Sequence, residues 1–226
     1  AEYLAVDEAA AVLPLPAAAT FDEAAAIPFG ALTALVFLRD LARVRPGERV
    51  LVVGASGGVG VAAVQIARHL GAVVDGVCGT ENLDLVLSLG AARAIDRHHE
   101  SYLDGSATWD VILDTVGATT FPASRRALAP RGRHAALEFG LSGMLWALAT
   151  RLGRGRRAVV GISGETQADL ALVADMMASG ALRPVIDGRY PFTAIAEAHA
   201  RAESRRKRGS VVVTIGDPGE RAVAAN

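Results

Sequence analysis

Between Val50 and Gly60 the sequence runs Val-Leu-Val-Val-Gly-Ala-Ser-Gly-Gly-Val-Gly, and it is here that side chains become small enough for the backbone itself to do chemistry. An apolar β-branched run breaks into small residues and then becomes Val61-Ala62-Ala63-Val64-Gln65-Ile66-Ala67, which reads as strand, tight turn and helix. Laid on the pattern G-x-G-x-x-G, the three special positions fall on Ala55, Gly57 and Gly60, the next smallest residue replacing the first glycine. Small residues let the backbone from Ser56 to Val59 approach a pyrophosphate. A helix beginning near Gly58 would offer that anion unpaired N–H groups and a partial positive charge.

Glycine-rich turns also close strand-to-helix connections that bind nothing, so the surroundings decide. Arg49 to Val53 supplies the strand, an alanine-rich amphipathic helix follows to about Leu70, and after Gly71 a second strand begins at Ala72 and runs to Val77. Together they make a βαβ unit of the expected size, which favours dinucleotide binding.

The elements that must position this turn follow the same rhythm. Residues 1 to 20 suit a short strand and a proline-stiffened connection; Thr20 with Glu23 forms a capping box for a helix over Ala24 to Ile27, stopped by Pro28. A second helix spans about Leu32 to Leu41. Beyond the βαβ unit we expect a loop from Cys78 to Asn82, a helix from Leu83 to Leu89, a strand over 92–96 and another from Trp109 to Asp114. A helix from Phe121 to about Leu128, a Pro130-Arg131-Gly132 turn and a strand from Arg133 to Phe139 come next. Residues 140–157 read as a connection, Ala158 to Ile162 as a sixth strand at the sheet edge, and Gln167 to Ala178 as a helix. A helix around Ile195 to Ala202 and a strand from Ser210 to Ile215 close the chain, with a disordered tail after Gly216. Alternating strands and helices imply an α/β fold, a Rossmann-type doubly wound parallel sheet. Ligands on such sheets sit at the carboxyl ends of the strands.

Composition excludes several classes. A chain of 226 residues with 51% hydrophobic content can bury one sizeable core, and a net charge of −1 gives no global field for nucleic acid or a membrane surface. The single cysteine, Cys78, excludes an intramolecular disulfide and a multi-cysteine zinc lobe. No apolar stretch reaches about eighteen residues without a charge, and the opening residues lack the basic start and apolar core of a signal peptide, so a cytoplasmic location is expected. The adjacent His98 and His99 cannot both face one metal from a regular element and read as solvated. So do Arg151, Arg154, Arg156 and Arg157, and the Arg201 to Arg208 run fits an exposed helix end as well as an RNA contact.

Across nearly its whole length the chain resembles the zinc-independent medium-chain dehydrogenases/reductases of the quinone oxidoreductase (zeta-crystallin-like) group. The stretches that carry the resemblance are Ala24-Ala25-Ala26-Ile27-Pro28 with Leu32-Thr33-Ala34, Arg45-Pro46-Gly47, Gly54 to Gly60, Asp110 to Gly117, and Gly180 to Asp187. Glu197-Ala198-His199, followed by Lys207-Arg208-Gly209 and a β-branched strand, completes it. The resemblance implies that most of an N-terminal chaperonin-10-like domain is missing. Residues 1–30 would end that domain, 31–165 would form the dinucleotide-binding domain, 166–216 would return to the catalytic domain, and 217–226 would be tail.

Carried onto this sequence, the resemblance places Ser56, Gly57, Gly58 and Val59 on the pyrophosphate. Thr115, Val116, Leu137, Phe139 and Gly140 would line the adenosine and nicotinamide ends, Thr33 would lie near the nicotinamide, and Arg205 would stand on the cofactor side. Cofactor choice rests on the end of the second strand, where a carboxylate would accept both ribose hydroxyls of NADH and repel a 2′-phosphate. Cys78 is there instead, small and neutral, with Gly79, Thr80 and Asn82 able to donate to a phosphate and Arg97 able to supply charge that Glu81 does not. NADPH is therefore favoured over NADH. The expected function is hydride delivery from NADPH to a quinone or an α,β-unsaturated carbonyl without zinc. The alternatives are an enoyl reductase domain of a larger synthase and a truncated, non-catalytic NADPH-binding module. We expect a small-molecule substrate, no nucleic-acid or membrane partner, and a homodimer through the edge strand near Val159.

Overall fold

A computed structural model of the chain describes residues 5–7, 10–15, 19–164 and 166–215. The sequence segments into six parallel strands: β1 (Arg49–Val53), β2 (Val73–Cys78), β3 (Arg93–Asp96), β4 (Trp109–Asp114), β5 (Leu128–Ala136) and β6 (Arg157–Val160). Their order in the sheet is β3-β2-β1-β4-β5-β6. The chain builds outward from β1 in one direction, then from β4 in the other. Where that direction reverses, a crevice opens outside the carboxyl ends of β1 and β4.

Period-two alternation sends Val50 and Val52 of β1 to one face and Leu51 and Val53 to the other, and each face has its own core. On one side Val50 and Val52 meet α2 (Pro28–Leu35), α3 (Gly58–His69) and α7 (Gln167–Ala178) through Leu35, Ile66 and Met176. On the other, Leu51 and Val53 pack with Ile95, Trp109, Ile112 and Leu128. Both faces of β1 and β4 are covered, as a parallel sheet requires.

Several elements depart from the sequence-based expectation. The capping box at α1 (Phe21–Ala26) forms, Thr20 Oγ1 accepting from Glu23 N at 3.2 Å and Glu23 Oε2 from Thr20 N at 2.9 Å. Pro28, however, does not simply stop a helix. It occupies the first turn of α2, where the N–H it lacks would have no acceptor, and the coil then continues as a π-helical segment over Val36–Leu41. β5 begins at Leu128, ahead of the expected Arg133, and stops short of Phe139. Its pairing with β4 steps from Trp109↔Leu128 to Val111↔Arg133, so the Pro130-Arg131-Gly132 turn persists as a bulge inside the strand. The backbone bond from Trp109 N to Ala127 O, 2.9 Å, draws that segment into the sheet and leaves α5 only Phe121–Ser124. The connection after β5 is largely a helix, α6 (Leu141–Thr150), and β6 ends before Ile162. α4 (Leu83–Ser88) connects β2 to β3, and after α7 the strands β7 (Ile186–Pro191) and β8 (Ser210–Thr214) form a separate two-stranded parallel sheet bridged by α8 (Ile195–Glu203). The tail expected to be disordered lies outside the described residues, and the described parts of the expected opening strand, residues 5–7 and 10–15, form no strand.

Candidate dinucleotide site

The glycine-rich turn is fixed on three sides. Gly54, at a φ of +82°, reverses the chain as it leaves β1, and the N–H groups of Gly54 and Ala55 donate to Val77 O of β2 at 3.1 and 2.9 Å. Beneath it, α2 comes so close that a Cβ on Gly30 would lie 2.4 Å from Gly58 O. Within it, a Cβ on Gly60 would lie 2.0 Å from Gly54 O, so strand end and helix start touch backbone to backbone. Gly57, extended, caps α3, whose first N–H groups have no intrahelical acceptor.

Around this turn the structure gathers several of the sequence-predicted residues. Thr115 donates from its hydroxyl to Val53 O at 2.9 Å and, with Val116, covers the place where Gly54 would carry a side chain. Asn82, a buried residue, donates from Nδ2 to Ser56 Oγ at 3.3 Å, while its Oδ1 has no partner. Thr33 is buried in α2. Leu137 donates its N–H to Asp114 O at 3.0 Å beside the end of β4, and Phe139 and the exposed Gly140 lead from there into α6.

At the end of β2, burial pushes the Cys78 thiol up to about 11, and the Asp96 and Glu81 carboxylates add to the shift. It is a neutral thiol at neutral pH and no nucleophile. Arg97, just past β3, donates its N–H to Cys78 O at 3.0 Å. With Glu81, His98, Asp187, Arg206 and Arg208 it lines a groove of about 780 Å³. Two expected donors are already engaged. The Thr80 hydroxyl donates to Asp96 Oδ2 at 2.6 Å, and this bond, with the His98 N–H and the His99 ring, holds the Asp96 carboxyl well below its usual range. Asn82 Nδ2 also reaches Glu81 Oε1 at 3.2 Å.

Arg205 makes no described hydrogen bond to the crevice. It sits at a φ of +54°, exposed, where the chain reverses after α8. Its neighbours approach instead. Arg208 donates from Nη2 to Glu81 O at 3.1 Å, Gly209 N donates to Ser56 O at 2.9 Å, and the Lys207 ammonium stands over Gly58. Reasoning from sequence also misses a buried relay behind the crevice. Asp114, fully buried, accepts from Val116 N, Ala118 N and Thr119 N, and the Thr119 hydroxyl donates to it at 2.7 Å. That hydroxyl has one proton, so it must accept from His134 Nε2 at 2.8 Å, and burial holds the imidazole neutral. The relay fixes the loop that presents Thr115 and Val116.

This crevice can take an extended anion-bearing ligand: glycines that no side chain fills, a helix N-terminus, an orphan amide oxygen and a basic groove next to a neutral strand end. The fold and site define a dinucleotide-binding Rossmann-type domain. A family model described as zinc-binding dehydrogenase matches residues 89–213, more than half of the chain, and the chain belongs to that family, the medium-chain dehydrogenases/reductases. It is 35% identical over 226 residues to the pikromycin polyketide synthase component PikAII of Streptomyces venezuelae, covering 93% of this chain and 6% of the synthase. It is 29% identical to the human synaptic vesicle membrane protein VAT-1 homolog, covering 89% of this chain and 59% of that protein. Among solved structures, the quinone oxidoreductase from Coxiella burnetii superposes with a TM-score of 0.81 at 26% identity, covering 90% of this chain and 64% of that one. An NAD-dependent alcohol dehydrogenase superposes at 0.75 with 34% identity, covering 90% and 62%. The chain thus spans less than two thirds of each. The family is NAD(P)-dependent. Among the described residues, no helix is long and apolar enough to cross a membrane and no cluster of His, Cys, Asp and Glu could hold a metal ion.

Proposed function

We propose that this chain binds NADPH along the crevice and forms the dinucleotide-binding part of a reductase acting on a quinone or an α,β-unsaturated carbonyl. The observation that carries the proposal is the glycine-rich turn at the point of strand reversal, with the unpartnered Asn82 Oδ1 beside Ser56. Ser56, Gly58 and Val59 would hold the pyrophosphate by backbone N–H groups, while Gly57, whose own N–H donates to Gly54 O at 3.0 Å, would allow the close approach. Cys78, Gly79, Thr80, Asn82 and Arg97 would surround the adenosine ribose and its 2′-phosphate. Thr33, Thr115, Val116, Leu137, Phe139 and Gly140 would orient the nicotinamide, with Arg205 at the margin. When bound, the cofactor supplies the hydride; the chain binds, orients and excludes water. NADPH is preferred in this reading because the protonated Cys78 thiol does not repel a 2′-phosphate and Arg97 lines the groove next to it. We assign no zinc to the reaction and place the protein in the cytoplasm.

A fluorescence titration with NADPH and NADH in parallel tests this. Tighter binding of NADPH is the expected result; tighter binding of NADH, or binding of neither, overturns it. The likeness to PikAII favours one variant of the same reading, an enoyl reductase domain of a larger synthase, which reduction of an enoyl thioester in preference to a quinone would support.

We also propose a small-molecule reductase that works as a homodimer through β6. The outer edge of this strand has no partner among the described strands, and beside it α6 exposes Leu141, Met144, Leu145 and Leu148, with Ile162 just beyond the strand. Antiparallel pairing of two such edges about a two-fold axis near Val159 would both satisfy the open edge and bury those side chains. Light scattering should give a dimer that becomes a monomer on Leu148→Glu with Ile162→Lys; a monomeric parent refutes the pairing.

A further inference from the structure

Lys207 is the chain's only lysine, and it lies between α8 and β8, some 150 residues after the glycine-rich turn. The side chain is half-buried, and its Nζ stands over the first residue of α3: a Cβ on Gly58 would lie 2.9 Å from it. The ammonium donates to Gly209 O at 2.6 Å, and Gly209 N donates to Ser56 O at 2.9 Å, so amine and turn are tied together through one residue. Gly209 itself cannot give way. It has a φ of +65°, and a Cβ there would lie 2.2 Å from Val185 O.

This is a poor place to leave a cation alone. The N-terminus of α3, twelve residues long, carries a partial positive charge, which disfavours an ammonium beside it. No carboxylate among the described residues pairs with Lys207. Asp187, the acid whose field it feels, is taken by Arg201 Nε and Nη2 at 2.5 and 2.9 Å and by Arg208 N at 3.0 Å. Burial pulls the amine below the usual lysine range, as it does for a cation short of counter-charge. The turn from Gly54 to Gly60 has no basic side chain of its own. A second sign that a ligand belongs here is independent of charge. Asn82 is 5% exposed, is tied by its Nδ2 to Ser56 Oγ, and has an Oδ1 with no donor. Two like positive charges and an orphan acceptor in one crevice are resolved together by a ligand that brings an anion and hydroxyl groups.

We propose that Lys207 is a direct ligand of the cofactor's pyrophosphate, supplying from the C-terminal return segment the cationic side chain that the glycine-rich turn lacks. The inference rests on the reading that a dinucleotide occupies the crevice. Because the pyrophosphate is common to NADPH and NADH, Lys207 contributes to both equally, whereas Arg97 and Arg208 flank the groove at the end of β2 and bear on the 2′-phosphate alone.

The test titrates the parent chain, Lys207→Met, Lys207→Arg and Arg97→Gln with NADPH and with NADH, following nicotinamide fluorescence, with thermal unfolding of each apo protein as the control. A charge-assisted hydrogen bond predicts affinity about tenfold to a hundredfold weaker for Lys207→Met with both cofactors, an unchanged NADPH-to-NADH ratio and substantial recovery in Lys207→Arg. Arg97→Gln should change the ratio instead. Should Lys207→Met unfold, Lys207→Gln carries the same prediction. The inference is overturned if the parent binds NADPH and Lys207→Met binds it as tightly, in which case the cofactor reading stands. It is also overturned if only NADPH is weakened, which would put the amine on the 2′-phosphate. A parent chain that binds neither cofactor refutes the cofactor reading, and the role of Lys207 falls with it.

Discussion

Gly58 and Gly60 both belong to the glycine-rich turn, two residues apart, yet adding one methyl group to each should have very unequal consequences. At Gly60 the new Cβ would lie 2.0 Å from Gly54 O and 2.8 Å from Ala55 Cα, both backbone atoms. Relief requires more than an ångström of movement in a segment whose N–H groups at Gly54 and Ala55 are bonded to Val77 O at 3.1 and 2.9 Å. Overpacking costs about 1–3 kcal/mol, and weakening those two hydrogen bonds adds about 1 kcal/mol each. The better helix propensity of alanine returns about 1 kcal/mol, which leaves a net loss of about 2–4 kcal/mol. For a chain of this size each kcal/mol lowers Tm by about 2–4 °C, so Gly60→Ala should melt roughly 5–15 °C below the parent. At Gly58 the nearest atoms are Lys207 Nζ at 2.9 Å, the end of a flexible side chain, and Gly209 O at 3.3 Å. Gly58→Ala should therefore melt within about 2 °C of the parent while displacing the ammonium. Differential scanning calorimetry of the two variants decides. A Gly60→Ala protein as stable as the parent would refute the close contact between strand end and helix start, and a Gly58→Ala protein as damaged as Gly60→Ala would refute the room that a mobile Lys207 side chain leaves at Gly58.

Two further predictions concern groups buried away from the crevice. Asp75 of β2, 4% exposed, accepts from Trp109 Nε1 at 2.8 Å and from Arg49 Nη2 at 3.1 Å, with the guanidinium 5.7 Å from the indole ring centre. Asp75→Ala leaves that indole N–H unsatisfied in the core and should cost about 1–3 kcal/mol in urea unfolding, more than Asp75→Asn, which keeps an acceptor; equal losses would contradict the assigned bond. His134 is held neutral by burial, so its folded pKa lies below the unfolded value of about 6.5. Below that value the unfolded chain binds more protons than the folded one, and stability complete above about pH 6.5 falls by up to about 1.4 kcal/mol per unit as pH drops toward the folded pKa. Melting curves between pH 5 and 7 should show this slope in the parent and a shallower one in His134→Gln; parallel slopes would place the loss elsewhere.

Which parts of this protein are legible in its sequence depends on how far apart in the chain the deciding contacts are. The bounds of β1, β4 and α7 agree with the residue pattern because each is an apolar run closed by its own turn or cap, such as Thr166 Oγ1 accepting from Asp169 N at 3.1 Å. β5 is different. Pro130-Arg131-Gly132 is a sound local turn signal, but pairing of Leu128 with Trp109 outweighs it and turns the signal into a bulge. The site divides in the same way. The glycine-rich turn and the neutral end of β2 are read from neighbours in sequence, since strand, turn and helix must follow one another for the backbone to meet an anion. Thr80 illustrates the limit: its hydroxyl is free to donate to a phosphate when read along the chain, but Asp96, brought alongside Cys78 by the β2–β3 register, takes it. The return segment is the extreme case. An arginine at position 205 is suggested by resemblance, yet a φ of +54° there turns the chain, and the residues that reach the turn are Lys207 and Gly209. Nothing between residues 54 and 60 encodes that approach. It is set by the parallel pairing of β7 with β8, which starts at Ile186↔Ser210 and so delivers Gly209 to Ser56. The cation of this crevice is therefore specified by the register of a second, two-stranded sheet, and a shift of that register would remove Lys207 from the turn without changing a residue of the glycine-rich motif.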